Sequence, residues 1–192
     1  MQQKNSVSMN TMALILPGIG DSDRNHWQSR WQSENSSFVR VQQRDWDQPI
    51  CDEWVGVLEK HIAEAGLDVV LVAHSLGCLL VAHWAARTHL MVKGALLVAP
   101  PNPKSPIFPN EATGFSTLPD NLLPFPSIVV ASSDDPYGNL EFSSSCASMW
   151  GSLFINIGNA GHINSSSGFG EWREGFALFQ QLAGTPLIIS KE

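Results

Sequence analysis

The segment Val69-Val70-Leu71-Val72-Ala73-His74-Ser75-Leu76-Gly77-Cys78-Leu79-Leu80-Val81-Ala82 constrains this chain more than any other. Its first half is apolar and β-branched, as a strand buried on both faces must be. Its second half reads as a helix, and His74-Ser75-Leu76-Gly77 leaves no room for a loop between the two. A strand that turns directly into a helix mounts the serine on a sharp corner. Its hydroxyl is then exposed at the end of a sheet and its backbone lies against a helix N-terminus. Strand and helix backbones pass close at such a turn, so small residues are needed two places before and two places after the serine. Gly77 fits, and Ala73 stands where glycine is usual. A serine hydroxyl is a poor nucleophile until a base takes its proton. The remainder of the chain should therefore supply a histidine, an acid and two N–H groups for an oxyanion. A serine that only caps an ordinary helix is the alternative.

The surrounding pattern fits that corner. Apolar runs predict strands over residues 12–16, 38–42, 68–73, 94–99, 127–132 and 153–157. Helical spacing predicts helices over 26–34, 52–65, 76–87, 140–150 and 171–182; Trp54, Val55, Leu58 and Ile62 share one face of the second, and Gly66 ends it. Strands that are continuous apolar runs and alternate with helices describe an α/β fold, a mostly parallel, doubly wound sheet with helices on both faces. Ligands of such sheets sit at the carboxyl ends of the strands, so the chemical residues should follow strands. Residues 100–126 break the rhythm: eight of the chain's twelve prolines fall there. This segment reads as an ordered loop, too short for a separate cap, that either lies across the active end or simply crosses the surface. If it lies over the site, Phe108, Phe115 and Phe125 could make a pocket apolar.

Composition narrows the function classes. The 192 residues suit one domain, with residues 1–10 expected as a flexible tail. Apolar residues make up 43%, enough for a real core, and the formal net charge of -7 argues against nucleic acid or an anionic membrane surface as a partner. No apolar run approaches membrane-spanning length. Cys51, Cys78 and Cys146 are odd in number and form no C-x-x-C pair, which suits reduced thiols in a cytoplasm. The six histidines include no short-spaced ligand pair beside cysteines or carboxylates, so no metal is expected.

The candidate base is His162, which follows the last predicted strand in Gly158-Asn159-Ala160-Gly161-His162-Ile163-Asn164. A histidine there can reach over the sheet end to the serine. His74 is nearer in sequence but should point away from Ser75, as successive strand residues do. It and His26 read as packed side chains. The acid should come from Ser132-Ser133-Asp134-Asp135-Pro136-Tyr137. Pro136 holds the residue before it extended, which favours Asp135 as the acid and leaves Asp134 as a former of the turn. Leu76 N–H is one expected oxyanion donor. The second should come from Pro17-Gly18-Ile19-Gly20, with Ile19 first and Gly20 second. Cys78 lacks a base and reads as buried and inert, and Trp27, Trp31, Trp54 and Trp84 read as core.

Leu14-Ile15-Leu16-Pro17-Gly18, Asn25-His26-Trp27-Gln28, Ala73-His74-Ser75-Leu76-Gly77, Leu123-Pro124-Phe125-Pro126-Ser127, Asp135-Pro136-Tyr137, Gly161-His162-Ile163-Asn164 and Gly168-Phe169-Gly170-Glu171-Trp172 occur in this order over nearly the whole chain. Together they resemble the small bacterial serine hydrolases of the α/β-hydrolase superfamily, grouped with the retinoblastoma-binding protein 9 hydrolase. The resemblance implies a compact α/β-hydrolase without a large cap and a triad of Ser75, Asp135 and His162. Binding of a retinoblastoma-type pocket protein is not implied, because Pro49-Ile50-Cys51-Asp52-Glu53 has proline where that motif requires leucine.

The expected function is therefore hydrolysis of a small-molecule ester, or a related amide or thioester, through an acyl enzyme and without a cofactor. Two other readings stand beside it: a non-catalytic binding protein on a hydrolase scaffold, and an acyltransferase with the same triad.

Overall fold

Alternate residues of the central strands face opposite ways, and each set meets its own layer of helices. The computed structural model describes residues 11–184. In chain order its elements are β1 (Met12–Leu16), α1 (Trp27–Glu34), β2 (Phe38–Arg40), α2 (Cys51–Ala65), β3 (Val69–His74), α3 (Leu76–Ala85), β4 (Gly94–Val98), β5 (Ser127–Ala131), α4 (Leu140–Trp150), β6 (Leu153–Asn156), a 3-10 turn (Ser165–Ser167) and α5 (Arg173–Gly184). All six strands pair in parallel, in the order β2-β1-β3-β4-β5-β6. Leu14, Leu16, Leu71, Ala73, Leu97 and Val129 point to the side of α2, α3 and α4. Ala13, Ile15, Val70, Val72, Leu96 and Val98 point to the side of α1 and α5. The fold is thus the α/β-hydrolase-like, doubly wound sheet expected, and no cap domain is evident among the described residues. The expected tail at 1–10 lies outside the described residues.

The strand order places the switch of winding direction between β1 and β3. From β1 the chain runs outward to β2, then returns through α2 to β3 on the other flank of β1. The connections diverge there, and a crevice opens beyond the carboxyl ends of both strands. Ser75 follows β3 and Gly18 follows β1, so both border the crevice.

Several ends differ from the sequence expectation for identifiable reasons. Helix α1 begins at Trp27, because His26 is its N-cap: the backbone is extended and Nδ1 accepts the Gln28 N–H at 3.2 Å. Helix α5 begins at Arg173 instead of 171, because Trp172 sits at φ 37° and Trp31 Nε1–H holds the Glu171 carbonyl. Residues 100–126 are pinned at several points. Cys51 N–H donates to the Thr113 carbonyl at 2.9 Å, Leu123 N–H to the Trp150 carbonyl at 3.0 Å, and Asn102 N–H to the Tyr137 carbonyl at 2.8 Å.

Candidate active site

Ser75 occupies the corner that the sequence pattern requires. Its backbone lies at φ 53°, ψ -124°, a conformation L-residues rarely adopt, and its N–H donates to the Val98 carbonyl at 2.9 Å. Holding this strain needs close packing on both sides. A Cβ on Gly77 would stand 2.2 Å from the Leu16 carbonyl oxygen, so only glycine lets the first turn of α3 press against the end of β1. Gly18 does the same from the opposite side: a Cβ there would lie 2.8 Å from Ser75 Cβ and 3.3 Å from Leu76 N. Its sequence signature is that of any glycine turn. Its importance comes from this long-range approach.

His162 and Asp135 converge on the serine. His162 Nε2 is 2.9 Å from Ser75 Oγ, and Nδ1 is 3.0 and 2.9 Å from the two carboxylate oxygens of Asp135. The carboxylate also accepts the Tyr137 N–H at 2.9 Å, which fixes its orientation. Both His162 and Asp135 are buried, whereas Ser75 is half-buried and open to a cavity of about 300 Å³. Asp134 has a different task. Its Oδ1 accepts the N–H groups of Ala160 and Gly161, each at 2.8 Å, and the Ser132 hydroxyl at 2.7 Å. The Ser132 hydroxyl first, and then the Gly161 amide, hold its carboxyl below the ordinary value of 3.8. Asp134 therefore holds the loop that carries His162 and does not face its ring.

The N–H groups of Leu76 and Ile19 have no acceptor among the described residues, and both residues line the cavity beside Ser75. Gly20 does not fit the expectation placed on it. Its N–H donates to the Trp46 carbonyl at 2.9 Å, so it is already committed to holding the loop after β1.

The Pro-rich segment does reach the site: Pro101, Ile107, Phe108 and Pro109 form one wall of the cavity. Of the three phenylalanines considered, only Phe108 lines it. Phe115 packs on Trp54 and His83, and Phe125 on Trp84, both inside the core. The opposite wall is polar and includes Asp21, Asp23, Asn164 and Ser165. Asp21 is paired with Arg40, whereas Asp23 takes the Ser165 hydroxyl and the Asn25 N–H and meets no cation among the described residues. The Ser165 hydrogen bond, ahead of opposing burial, lowers the Asp23 carboxyl from 3.8.

Three further residues frame the site through contacts that sequence reasoning could not see. Gln28 is fully buried. Its Nε2–H groups donate to the carbonyls of Leu16 (3.3 Å) and Val72 (2.9 Å), and its Oε1 accepts the Ser22 hydroxyl at 2.6 Å. It thereby bridges β1 and β3 across the crevice. Trp27 Nε1–H donates to the Ile163 carbonyl at 2.9 Å, one residue past His162. Cys78 is buried, its Sγ lies 3.2 Å from the Val98 carbonyl, and burial pushes its thiol well above 9.0, which removes it as a nucleophile.

The sequence profile of the serine hydrolase family matches residues 13–181. The chain belongs to the serine hydrolase family. Among solved structures, this serine hydrolase is similar to a YdeN-like hydrolase of Pectobacterium atrosepticum, with 29% identity over 92% of this chain and 93% of that one and a TM-score of 0.81. It is similar in fold to the ydeN gene product of B. subtilis, at 20% identity over 90% of this chain and 98% of that one, TM-score 0.73. A thermophilic esterase from Thermogutta terrifontis shares the fold at 16% identity over 89% of each chain, TM-score 0.63. No functionally curated protein sequence matches the chain. Among the described residues, no helix is long and apolar enough to cross a membrane.

Proposed function

We propose that this serine hydrolase cleaves small carboxylic esters through Ser75, His162 and Asp135. The observation that carries this reading is the unbroken hydrogen-bonded line from Ser75 Oγ through both ring nitrogens of His162 to the Asp135 carboxylate. In that line Nε2 accepts the hydroxyl proton while Nδ1–H donates to the acid.

Ser75 Oγ attacks the ester carbonyl as its proton passes to His162 Nε2. The oxyanion of the tetrahedral intermediate accepts the N–H groups of Leu76 and Ile19, donors that need no reorganisation as charge develops. His162 returns the proton to the departing alcohol, leaving an acyl group on Ser75. Water then enters, gives its proton to His162, attacks the acyl carbon and frees the carboxylic acid as Ser75 recovers its proton. Asp135 keeps the imidazole in one tautomer and stabilises the imidazolium. Protons and electron pairs move only among these side chains, the substrate and water, so these steps call for no cofactor.

The cavity supports small substrates. Its volume of about 300 Å³ lies at the small end of the range for small-molecule sites. The apolar wall of Ile107, Phe108 and Pro109 favours a short acyl chain, and the uncompensated Asp23 disfavours an anionic leaving group.

A fluorophosphonate probe should label the protein, and Ser75→Ala should abolish labelling. Among p-nitrophenyl esters, kcat/KM should be highest for acyl chains of about two to four carbons, a length suited to the small apolar wall of the cavity. Labelling that survives the substitution would refute the nucleophile, and a preference for long chains would refute the size argument. Labelling without hydrolysis of any such ester would point to a different acyl acceptor.

A further inference from the structure

His74, the last residue of β3, projects to the α1 and α5 side, two residues beyond Val72 in the same row, while Ser75 turns the corner. It is 5% exposed. Its Nε2 lies 2.8 Å from the main-chain carbonyl oxygen of His162. A carbonyl only accepts, so this nitrogen carries the hydrogen. The ring stands 4.8 Å from the His162 ring and 4.7 Å from that of His26. We propose that His74 is a positioning residue for the general base: its Nε2–H holds the main chain of His162 from the same strand that presents Ser75.

The proposal rests on the reading of Ser75 and His162 as the reacting pair. The loop that carries His162 has an unusual backbone, with φ positive at Gly158, Gly161 and Ile163. A chain of that shape keeps one position only if outside groups fix it. Asp134 takes two of its N–H groups, Ser167 takes the N–H of His162 at 3.2 Å, and Trp27 holds the Ile163 carbonyl. All these anchors come from elements other than β3. Among the described residues, His74 supplies the side-chain hydrogen bond that ties the main chain of the base to the strand of the nucleophile, so a shift of that strand carries both reacting atoms together. A displacement near 1 Å at this point costs about a hundredfold in rate.

The same position explains why His74 must be neutral. A cation 4.8 Å from the His162 ring would oppose the imidazolium that the reaction forms. The titratable groups acting on His74 are His26 and His162, both of which would repel a charge, and burial acts more strongly still. These together hold its pKa well below 6.5, so the Nε2–H tautomer persists through the working range.

The test compares His74→Phe, which keeps a ring and loses the donor, with His74→Gln, which returns a donor near the Nε2 position without a ring. In folded His74→Phe, kcat for p-nitrophenyl acetate should fall roughly ten- to a hundredfold with KM changed by less than about twofold. The downfield proton resonance of His162 Nδ1–H should broaden. His74→Gln should restore most of kcat and the resonance. Unchanged kcat in His74→Phe, or an equal loss in folded His74→Gln, would overturn the proposal. The unaltered protein gives a check that needs no variant to fold. Nitrogen-15 NMR should find His74 neutral and Nε2-protonated between about pH 5 and 8, a range in which ordinary histidines titrate; a doubly protonated or Nδ1-protonated ring would overturn it. If the unaltered protein resists fluorophosphonate, the reading of Ser75 and His162 fails. If it is labelled at Ser75 yet indifferent to His74→Phe, only the positioning role fails.

Discussion

Replacing His26 by asparagine should make the protein more resistant to acid. His26 is 3% exposed and caps α1, its Nδ1 accepting the Gln28 N–H. Burial, opposed by the Asp23 charge and assisted by those of Arg40 and His162, lowers its pKa from 6.5 to about 4. In the unfolded chain the ring titrates near 6.5. Between these values the unfolded chain binds a proton that the folded protein refuses, so stability must fall as pH falls through this window. Above the window neither state binds the proton and nothing is lost. The difference is worth roughly 3 kcal/mol at pH 4. That is a large share of the 5–15 kcal/mol that holds a typical domain together (about that range). Asparagine is one of the better N-caps, its side-chain oxygen can accept the same N–H, and it has no proton to bind. Urea unfolding followed by tryptophan fluorescence, at pH 7 and pH 4, measures the loss in each protein. Carboxylates shared by both cancel in the comparison. The wild type should lose about 3 kcal/mol more than His26→Asn across that interval. Equal losses would refute the argument that burial keeps this histidine neutral.

Four further outcomes follow from the contacts around Ser75 and His162. Gly18→Ala should fold but lower kcat by about a hundredfold, because the new methyl meets Ser75 Cβ at 2.8 Å and must push the nucleophile out of line; kinetics with p-nitrophenyl acetate would show it. Gln28→Leu should cost about 3 kcal/mol by stranding two buried carbonyls and the Ser22 hydroxyl, visible as a melting temperature lower by roughly 10 °C. Asp135→Asn should lower kcat by about ten-thousandfold by favouring the wrong histidine tautomer. Asp134→Asn should act through the loop alone and cost far less, so measuring both separates the two neighbouring aspartates.

What the sequence revealed, and what it concealed, divides by whether a local pattern or a strand end marks the residue. Strand and helix cores were readable because burial on both faces leaves unbroken apolar runs such as Val69-Val70-Leu71-Val72-Ala73. Ser75 was readable because its corner is a local event. Asp135 and His162 follow β5 and β6, where the strand-end rule expects chemical residues, and the structure brings both to Ser75. The grip of Asp134 on the N–H groups of Ala160 and Gly161 carries no such mark in the sequence. Gly20, the second expected oxyanion donor after Ile19, is set aside by a contact the sequence does not show, its N–H donating to the Trp46 carbonyl. The helix start at Arg173 depends on the positive φ of Trp172, which no propensity favours. Phe108, Phe115 and Phe125 could not be told apart by composition, since all three lie in or beside the same Pro-rich stretch and only its path over the sheet separates them.

The site divides the same way in its mechanics. Ser75, Leu76, Gly77 and Gly18 belong to one interlocked body, in which Gly77 presses on the Leu16 carbonyl and Gly18 on the Ser75 side chain at distances that an added methyl would crowd. Ser75 and the N–H of Leu76 can move only if β1, β3 and α3 move with them. His162, by contrast, stands on a loop fixed by individual polar contacts from Asp134, Ser167, Trp27 and His74. Core packing therefore fixes the Ser75 half of the site, whereas hydrogen bonds fix the His162 half. Moderate destabilisation of the core should leave the local geometry of the first half intact until global unfolding. Loss of a single loop anchor should impair proton transfer at once, in a protein that still melts cooperatively and at nearly its original temperature.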